Sequence, residues 1–246
     1  MRPTPALLCA ALLLLAPATL AQQSDGAVDI AIVVSLDRSE SIDRDEASAQ
    51  ISGLMFALQH PRFLAAVQSG VHGRIGLSVL TWSSFGRHDV ILPWVQVSDA
   101  ASASRAAGIL AEDFERDVST VHGTQTDVGF GIELGTEQMA SLPWTASQQV
   151  INMVGDGISN IGRVAVVDRD AALQRGITVN ALITAQGSAI RVLTNYFRRN
   201  VIGGPTAFVQ LTNDKVDFAD AMLRKMLLEV ARLNERTRLT AGYRRG

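Results

Sequence analysis

Three short stretches of the chain carry oxygen donors in spacings that suit a hard cation. Asp37, Ser39 and Ser41 alternate in Asp37-Arg38-Ser39-Glu40-Ser41. Thr124 stands in Gly123-Thr124-Gln125-Thr126, and Asp156 lies between two glycines in Gly155-Asp156-Gly157. Gathered at one place, these five side chains offer two carboxylates and three hydroxyls, enough for a six-coordinate ion completed by water. All-oxygen ligation belongs to Mg²⁺, Mn²⁺ or Ca²⁺ and not to zinc. The small ligand number favours Mg²⁺ or Mn²⁺ over Ca²⁺, which usually takes more ligands. Low ligand charge keeps such an ion electrophilic and able to accept one more oxygen from a partner.

Each residue also has a plainer reading. Ser39 and Ser41 could simply cap the following helix, since Ser is a favoured N-cap. Asp156 between glycines could be a turn residue. Thr126 is the fallback to Thr124. Asp127 reads as a helix N-terminal acid, with a place behind the ligands as its second use. His122 reads as a loop histidine, because the proposed donors beside it are hard oxygens. Trp82, Trp94 and Trp144 read as packing residues.

The elements that must position these residues follow from the pattern. Ile30 to Val34 is a short apolar run, the mark of a strand buried on both faces of a parallel sheet. Asp37 to Ser41 follow it, ahead of a helix whose apolar residues Ile51, Leu54, Met55 and Leu58 recur at helical spacing. A strand-loop-helix order puts the loop at the carboxyl edge of the sheet, where open α/β folds bind ligands. Further strands are read at Arg74 to Trp82, His88 to Val97, Gln149 to Val154, Ile177 to Ile183 and Ala207 to Leu211. The short link after Trp82 makes His88 to Val97 antiparallel, and Pro93 confines it to an edge. Helices are read at Ser98 to Phe114, Asp127 to Met139, Val164 to Arg175, Ile190 to Asn200 and Phe218 to Leu233. The alternation predicts a doubly wound, mostly parallel α/β sheet with one antiparallel edge strand and helices on both faces.

Composition narrows the function. Of 246 residues, 47% are hydrophobic, enough for a sizeable core, and a net charge of -2 argues against a nucleic-acid partner. The opening residues have the parts of a secretory leader: Arg2, the apolar run Leu7 to Leu15, and Thr19-Leu20-Ala21 as a cleavage site. We therefore expect a signal peptide over 1–21, one domain over 26–235 and a loose tail over 236–246. Cys9, the single cysteine, would leave with the leader. The expected product is periplasmic or secreted, free of disulfides, and not inserted in a membrane once the leader is cleaved.

With these residues in hand, the chain resembles the von Willebrand factor type A (vWA) family and its metal-ion-dependent adhesion site. Asp37-Arg38-Ser39-Glu40-Ser41 matches the family's Asp-x-Ser-x-Ser at every defined position. Gly123-Thr124 looks like its Thr loop, and Gly155-Asp156-Gly157 like its Asp-Gly loop, with Gly155 where Thr or Ser is common. The resemblance implies a Rossmann-like vWA fold and direct metal ligation by both serines. It implies ligation by Thr124 and Asp156 either directly or through water. Asn195 to Pro205 and the Phe218 to Glu229 helix are similar to a group of secreted bacterial proteins known only as a domain of unknown function.

The expected function is a non-enzymatic binding module whose ion meets an acidic group of a protein partner. A phosphatase of haloacid dehalogenase type is the enzyme alternative. It is weakened because Ser39 replaces the second Asp of its Asp-x-Asp motif and no lysine precedes Lys215, which removes a main electrostatic stabiliser of phosphoryl transfer. A serine hydrolase lacks its Gly-x-Ser-x-Gly elbow. A scaffold with a vestigial site is the remaining alternative.

Overall fold

A computed structural model describes residues 26–116, 123–205, 207–213 and 217–243, with side chains of the last helix described through Ala231. The expected leader and His122 lie outside the described residues. Among the described residues, no helix is long and apolar enough to cross a membrane.

Six strands form one sheet: β1 (Val28–Asp37), β2 (Ile75–Trp82), β3 (His88–Val97), β4 (Ala146–Gly155), β5 (Ile177–Thr184) and β6 (Val209–Thr212), in the order β3-β2-β1-β4-β5-β6. All neighbours pair in parallel except β2 with β3. The antiparallel strand carrying Pro93 is therefore at the edge, where a residue without an N–H costs no ladder bond. β1 is central, and all ten of its residues are buried.

Alternation along β1 divides the core. Ile30, Ile32, Val34 and Leu36 face a layer built from α1 (Arg44–Gln59), α2 (Pro61–Gln68), α3 (Ala100–Arg116) and α7 (Phe218–Tyr243). Ala31 and Val33 face the other layer, built from α4 (Val128–Ala140), α5 (Ala165–Gln174) and α6 (Ala189–Tyr196). The fold is thus a doubly wound α/β sheet covered on both faces. Ser35 shares the second face and donates its hydroxyl to Gly131 O at 3.0 Å, tying α4 to the strand.

Two elements differ in detail from the sequence reading. The helix read over Ile190 to Asn200 ends at Tyr196 and gives way to a π-helical turn, Phe197–Val201. Phe197 and Val201, four apart, are both buried in the core on the second face of the sheet. α7 runs past Leu233 to Tyr243, through residues from 236 read as a loose tail. Arg, Leu and Glu there are good helix formers, and no proline interrupts them. Phe218, Met222, Met226 and Val230, spaced by four, are all buried.

Candidate metal centre

β1 ends at Asp37, and its neighbours end beside it: Asp37 is in register with Trp82 of β2, and Leu36 with Val154 of β4. Three loops therefore leave the sheet at one place. Asp37 Oδ1 accepts the Ser39 N–H at 2.8 Å, which curls the chain back over the carboxylate. Ser39 Oγ and Ser41 Oγ lie 3.3 Å apart, and Ser41 donates its hydroxyl to Asp156 Oδ1 at 2.7 Å. A serine hydroxyl that gives its proton to a carboxylate keeps its lone pairs free for a cation. The Thr loop joins through the backbone: Ser39 and Gly123 form an isolated parallel bridge, which brings the exposed Thr124 alongside. The end of β2 holds both loops, with Arg38 N–H donating to Trp82 O at 2.7 Å and Asp127 N–H to Ser83 O at 2.8 Å.

Thr126 is placed differently. It is buried, and its N–H donates to Asn160 Oδ1 at 2.9 Å while its carbonyl accepts the Asn160 N–H at 3.0 Å. It clamps the Thr loop to the β4–α5 loop. Asp127 is the N-cap of α4, accepting from Phe130 N–H. The capping alternative for Ser39 and Ser41 does not hold, because the N-cap of α1 is Asp43, whose carboxylate accepts the Glu46 N–H at 2.7 Å. Trp82 is buried core, and Trp94 donates its indole N–H to Gln138 O, both packing roles.

Gly155 packs closely against Asp37. A Cβ there would lie 3.0 Å from Asp37 Oδ2 and 3.1 Å from Asp37 Cβ, so Ser or Thr at this position would press on the carboxylate. Asp37 itself is 1% exposed. Burial pushes its carboxyl up to about 7; the Ser39 hydrogen bonds oppose the shift, and the nearby Asp156 charge adds to it. Ionising this group in place is costly without a compensating positive charge. Among the described residues, no group of three or more His, Cys, Asp or Glu is placed to hold a metal ion. A cation held here would rest on hydroxyls and water beside two carboxylates, which is the chemistry of hard ions.

A family profile described as a protein of unknown function, DUF1194, matches residues 27–234. The chain belongs to that family. A search of curated proteins finds no match to this DUF1194 chain. Solved vWA structures share its fold. It is similar to the vWF domain of the type V pili tip protein Mfa5 from Porphyromonas gingivalis, at 9% identity and a TM-score of 0.56, covering 81% of this chain and 94% of that one. It is similar to the pilus adhesin SpaC from Lactobacillus rhamnosus GG, at 14% identity and TM-score 0.57, covering 84% and 31%. It is also similar to proximal thread matrix protein 1 from the mussel byssus, in a form with a zinc-occupied MIDAS motif, at 18% identity and TM-score 0.52, covering 84% and 48%. The chain spans about half or less of the first solved structures it matches. At these identities the likeness establishes the vWA-like fold.

Two polar groupings in this DUF1194 chain escape sequence reading. Ser159 and Asn160 pin the β4–α5 loop: Val128 N–H donates to Ser159 Oγ at 3.0 Å, and the Tyr196 hydroxyl donates to the same oxygen at 3.1 Å. Single polar residues in a loop give no pattern to find. Deeper in the sheet, Lys225 is fully buried and donates to Glu229 Oε1 and Asn152 Oδ1, each at 2.9 Å. Here a signal existed: a lysine and a glutamate four apart sit on the same apolar stripe as Met222 and Met226.

Proposed function

We propose that this protein is a secreted or periplasmic binding module that holds a divalent cation with Asp37, Ser39, Ser41, Thr124 and Asp156. The ion, Mg²⁺ or Mn²⁺ with Ca²⁺ as the looser fit, would be presented to a carboxylate of a protein partner. The observation that carries this reading is the 2.7 Å hydrogen bond from Ser41 to Asp156 across 115 positions of sequence. It joins the loop that carries Asp37 and Ser39 to the loop that carries Asp156, so that their side-chain oxygens lie together. The vWA-like fold supports it, as does a pair of carboxylates with one buried against the sheet. The leader residues Arg2 to Ala21 support the export reading. The ion would supply an electrophilic position for the partner's oxygen. The chain's own residues orient it: the Ser39 N–H fixes the Asp37 carboxylate, Asp156 orients the Ser41 hydroxyl, and the Gly123 bridge fixes the Thr124 loop.

The test is thermal unfolding of residues 22–246 in EDTA, then with Mg²⁺, Mn²⁺ or Ca²⁺ added, beside Asp37→Ala. A ligand that binds only the native state raises Tm. The expected result is stabilisation of the wild type by at least one ion and none of the variant. No response to any ion at millimolar concentration would overturn the reading.

A further inference from the structure

Of the serines buried among the described residues, Ser35, Ser39, Ser78 and Ser102 each share a hydroxyl hydrogen bond, and Ser83 does not. Ser83 directly follows β2 and is 0% exposed. Its backbone is fixed on both sides: the N–H donates to Arg87 O at 3.1 Å, and the carbonyl accepts the Asp127 N–H at 2.8 Å. Only the hydroxyl is left over, and Oγ has no hydrogen-bond partner among the described residues. Folded proteins pair the large majority of their buried polar side-chain atoms, so an exception calls for a cause. An alanine here would end β2 equally well without the cost of an unpaired hydroxyl.

The place of Ser83 supplies the cause. Its Oγ lies against Gly123, so close that a Cβ on that glycine would stand 2.8 Å away. Gly123 is bridged to Ser39 and leads directly into Thr124. The unpaired hydroxyl therefore borders the residue that joins two of the candidate ligands. Thr124 has the complementary need. A hydroxyl that gives a lone pair to a cation must still place its proton. Ser41 places its proton on Asp156 Oδ1 at 2.7 Å. Thr124 is exposed, and among the described residues its hydroxyl has no acceptor. We infer that Ser83 is a positioning residue for the ion: its Oγ is the acceptor held for the proton of Thr124 when Thr124 ligates, as Asp156 is for the proton of Ser41. This rests on the ion reading above and adds a residue to it. A neutral acceptor orients Thr124 without bringing a third carboxylate to the site, so the ion keeps the low ligand charge that leaves it open to a partner's oxygen. Ser84 Oγ, 3.1 Å from the same Cβ position, is the neighbouring alternative, but Ser84 is half-buried and its hydroxyl is not left without a partner as that of Ser83 is.

The test measures Mn²⁺ binding to the purified protein from the EPR signal of the free ion, beside melts in EDTA, for the wild type, Ser83→Ala, Ser84→Ala and Ser78→Ala. Ser83→Ala should bind Mn²⁺ about three- to tenfold more weakly, the worth of one neutral hydrogen bond. Its Tm in EDTA should be no lower than that of the wild type, because the hydroxyl it removes is unpaired. Ser78→Ala deletes a hydroxyl on β2 that donates to Leu92 O at 2.7 Å and accepts from Gln138. It should do the reverse, with a lower Tm in EDTA and an unchanged Mn²⁺ affinity. Ser84→Ala should bind Mn²⁺ as the wild type does. Thr124→Val alone should weaken binding, and adding Ser83→Ala to it should cost less than twofold more, since the acceptor then has no proton to receive. A Ser83→Ala protein that binds Mn²⁺ within twofold of the wild type overturns the inference and leaves the ion site standing. So does a Ser83→Ala protein with a lower Tm in EDTA, which makes the hydroxyl structural, and so does a loss of affinity confined to Ser84→Ala. A wild type that binds no Mn²⁺ sinks the ion reading itself, and the inference with it.

Discussion

Strand β4 carries two polar clusters four residues apart, built on opposite plans. At Asn152 the strand faces α7. There the Lys225 ammonium meets Glu229 and the Asn152 carbonyl at 2.9 Å, Asn152 Nδ2 donates to Glu229 Oε2 at 2.7 Å, and Asn180 Nδ2 donates to Glu229 Oε1 at 3.2 Å. Asn152 and Asn180 are register partners on β4 and β5, and Asn180 Oδ1 accepts the Phe208 N–H at 3.0 Å. The cluster supplies its own cation, placed 4.7 Å over the Phe208 ring, and is closed to solvent. At Asp156 the same strand opens onto two carboxylates and several hydroxyls. The adjacent Arg38 there directs its guanidinium to Gln50 Oε1 at 2.7 Å. One cluster is electrically complete and fixes structure; the other has acceptors arranged for a positive charge to be added. A buried polar group is evidence of function where its own protein leaves it uncompensated.

The comparison breaks first at Lys225. Lys225→Met leaves the Glu229 carboxylate buried without its partner, which costs about 3–5 kcal/mol for a broken interior pair. Urea unfolding should show this loss equally in EDTA and in Mg²⁺. The double variant Lys225→Met/Glu229→Leu should recover only part of it, because the amide of Asn152 is then left unpaired at a cost of about 1–3 kcal/mol. Full recovery would mean that the asparagines contribute nothing to the cluster.

The edge cluster should behave in the opposite way. Asp37→Ala removes a buried carboxylate whose desolvation the neighbouring Arg38 charge offsets only in small part, so stability in EDTA should hold or rise. The wild type should gain about 2.7 kcal/mol from an ion at a hundred times its Kd, and the variant should gain nothing. A large loss of stability for Asp37→Ala in EDTA would make the carboxylate a structural group like Glu229.

The pH dependence sharpens the same contrast. Asp37 titrates at about 7 in the folded chain against an ordinary 3.8, so between these values the folded state holds more protons than the unfolded one. In EDTA this contribution to stability is complete below pH 3.8 and is lost as pH rises through 7, at up to about 1.4 kcal/mol per pH unit. Asp37→Asn should flatten the trend. Added Mg²⁺ should reverse it, since the ion binds only the deprotonated form and its affinity rises with pH. Urea midpoints from pH 5 to 8 check both.

The contrast also explains what was legible in the sequence. β1 to β6 and the helices could be placed because burial leaves its mark on the sequence: burial on both faces makes Ile30 to Val34 one apolar run, and burial of one helix face spaces Phe218, Met222, Met226 and Val230 by four. Asp37, Ser39 and Ser41 were readable as a group of candidate oxygen donors because they lie within five residues of one another. Thr124 and Asp156 needed the order of strands to bring them there. The π-helical turn was not readable, since Phe197 and Val201 keep helical spacing and the inserted residue depends on the sheet they pack against. The Ser159–Asn160 pins were not readable either, because their partners Thr126, Val128 and Tyr196 are over thirty positions away. The Lys225–Glu229 pair has the spacing of an exposed i,i+4 bridge; its place on the stripe of Met222 and Met226 is the one sequence sign that it is interior, and its partners Asn152 and Asn180 are more than forty positions away.

The smallest effect separates capping from ion binding within a single loop. Asp43 closes α1, whereas Ser41, two residues earlier, turns to Asp156. Asp43→Ala should therefore lower stability by about 1 kcal/mol, some 2–4 °C in Tm for a chain of this size, and leave the response to Mg²⁺ intact. Ser41→Ala loses the exposed hydrogen bond to Asp156 and the long 3.3 Å one with Ser39, and no cap. Its Tm in EDTA should stay within about 1 °C of wild type by the same conversion, while the gain on adding Mg²⁺ shrinks or vanishes. Melts of both variants in EDTA and in Mg²⁺ decide the matter. If Ser41→Ala is the destabilised variant and keeps its metal response, its hydroxyl serves the helix and the loop, and the ion would have to be held without it.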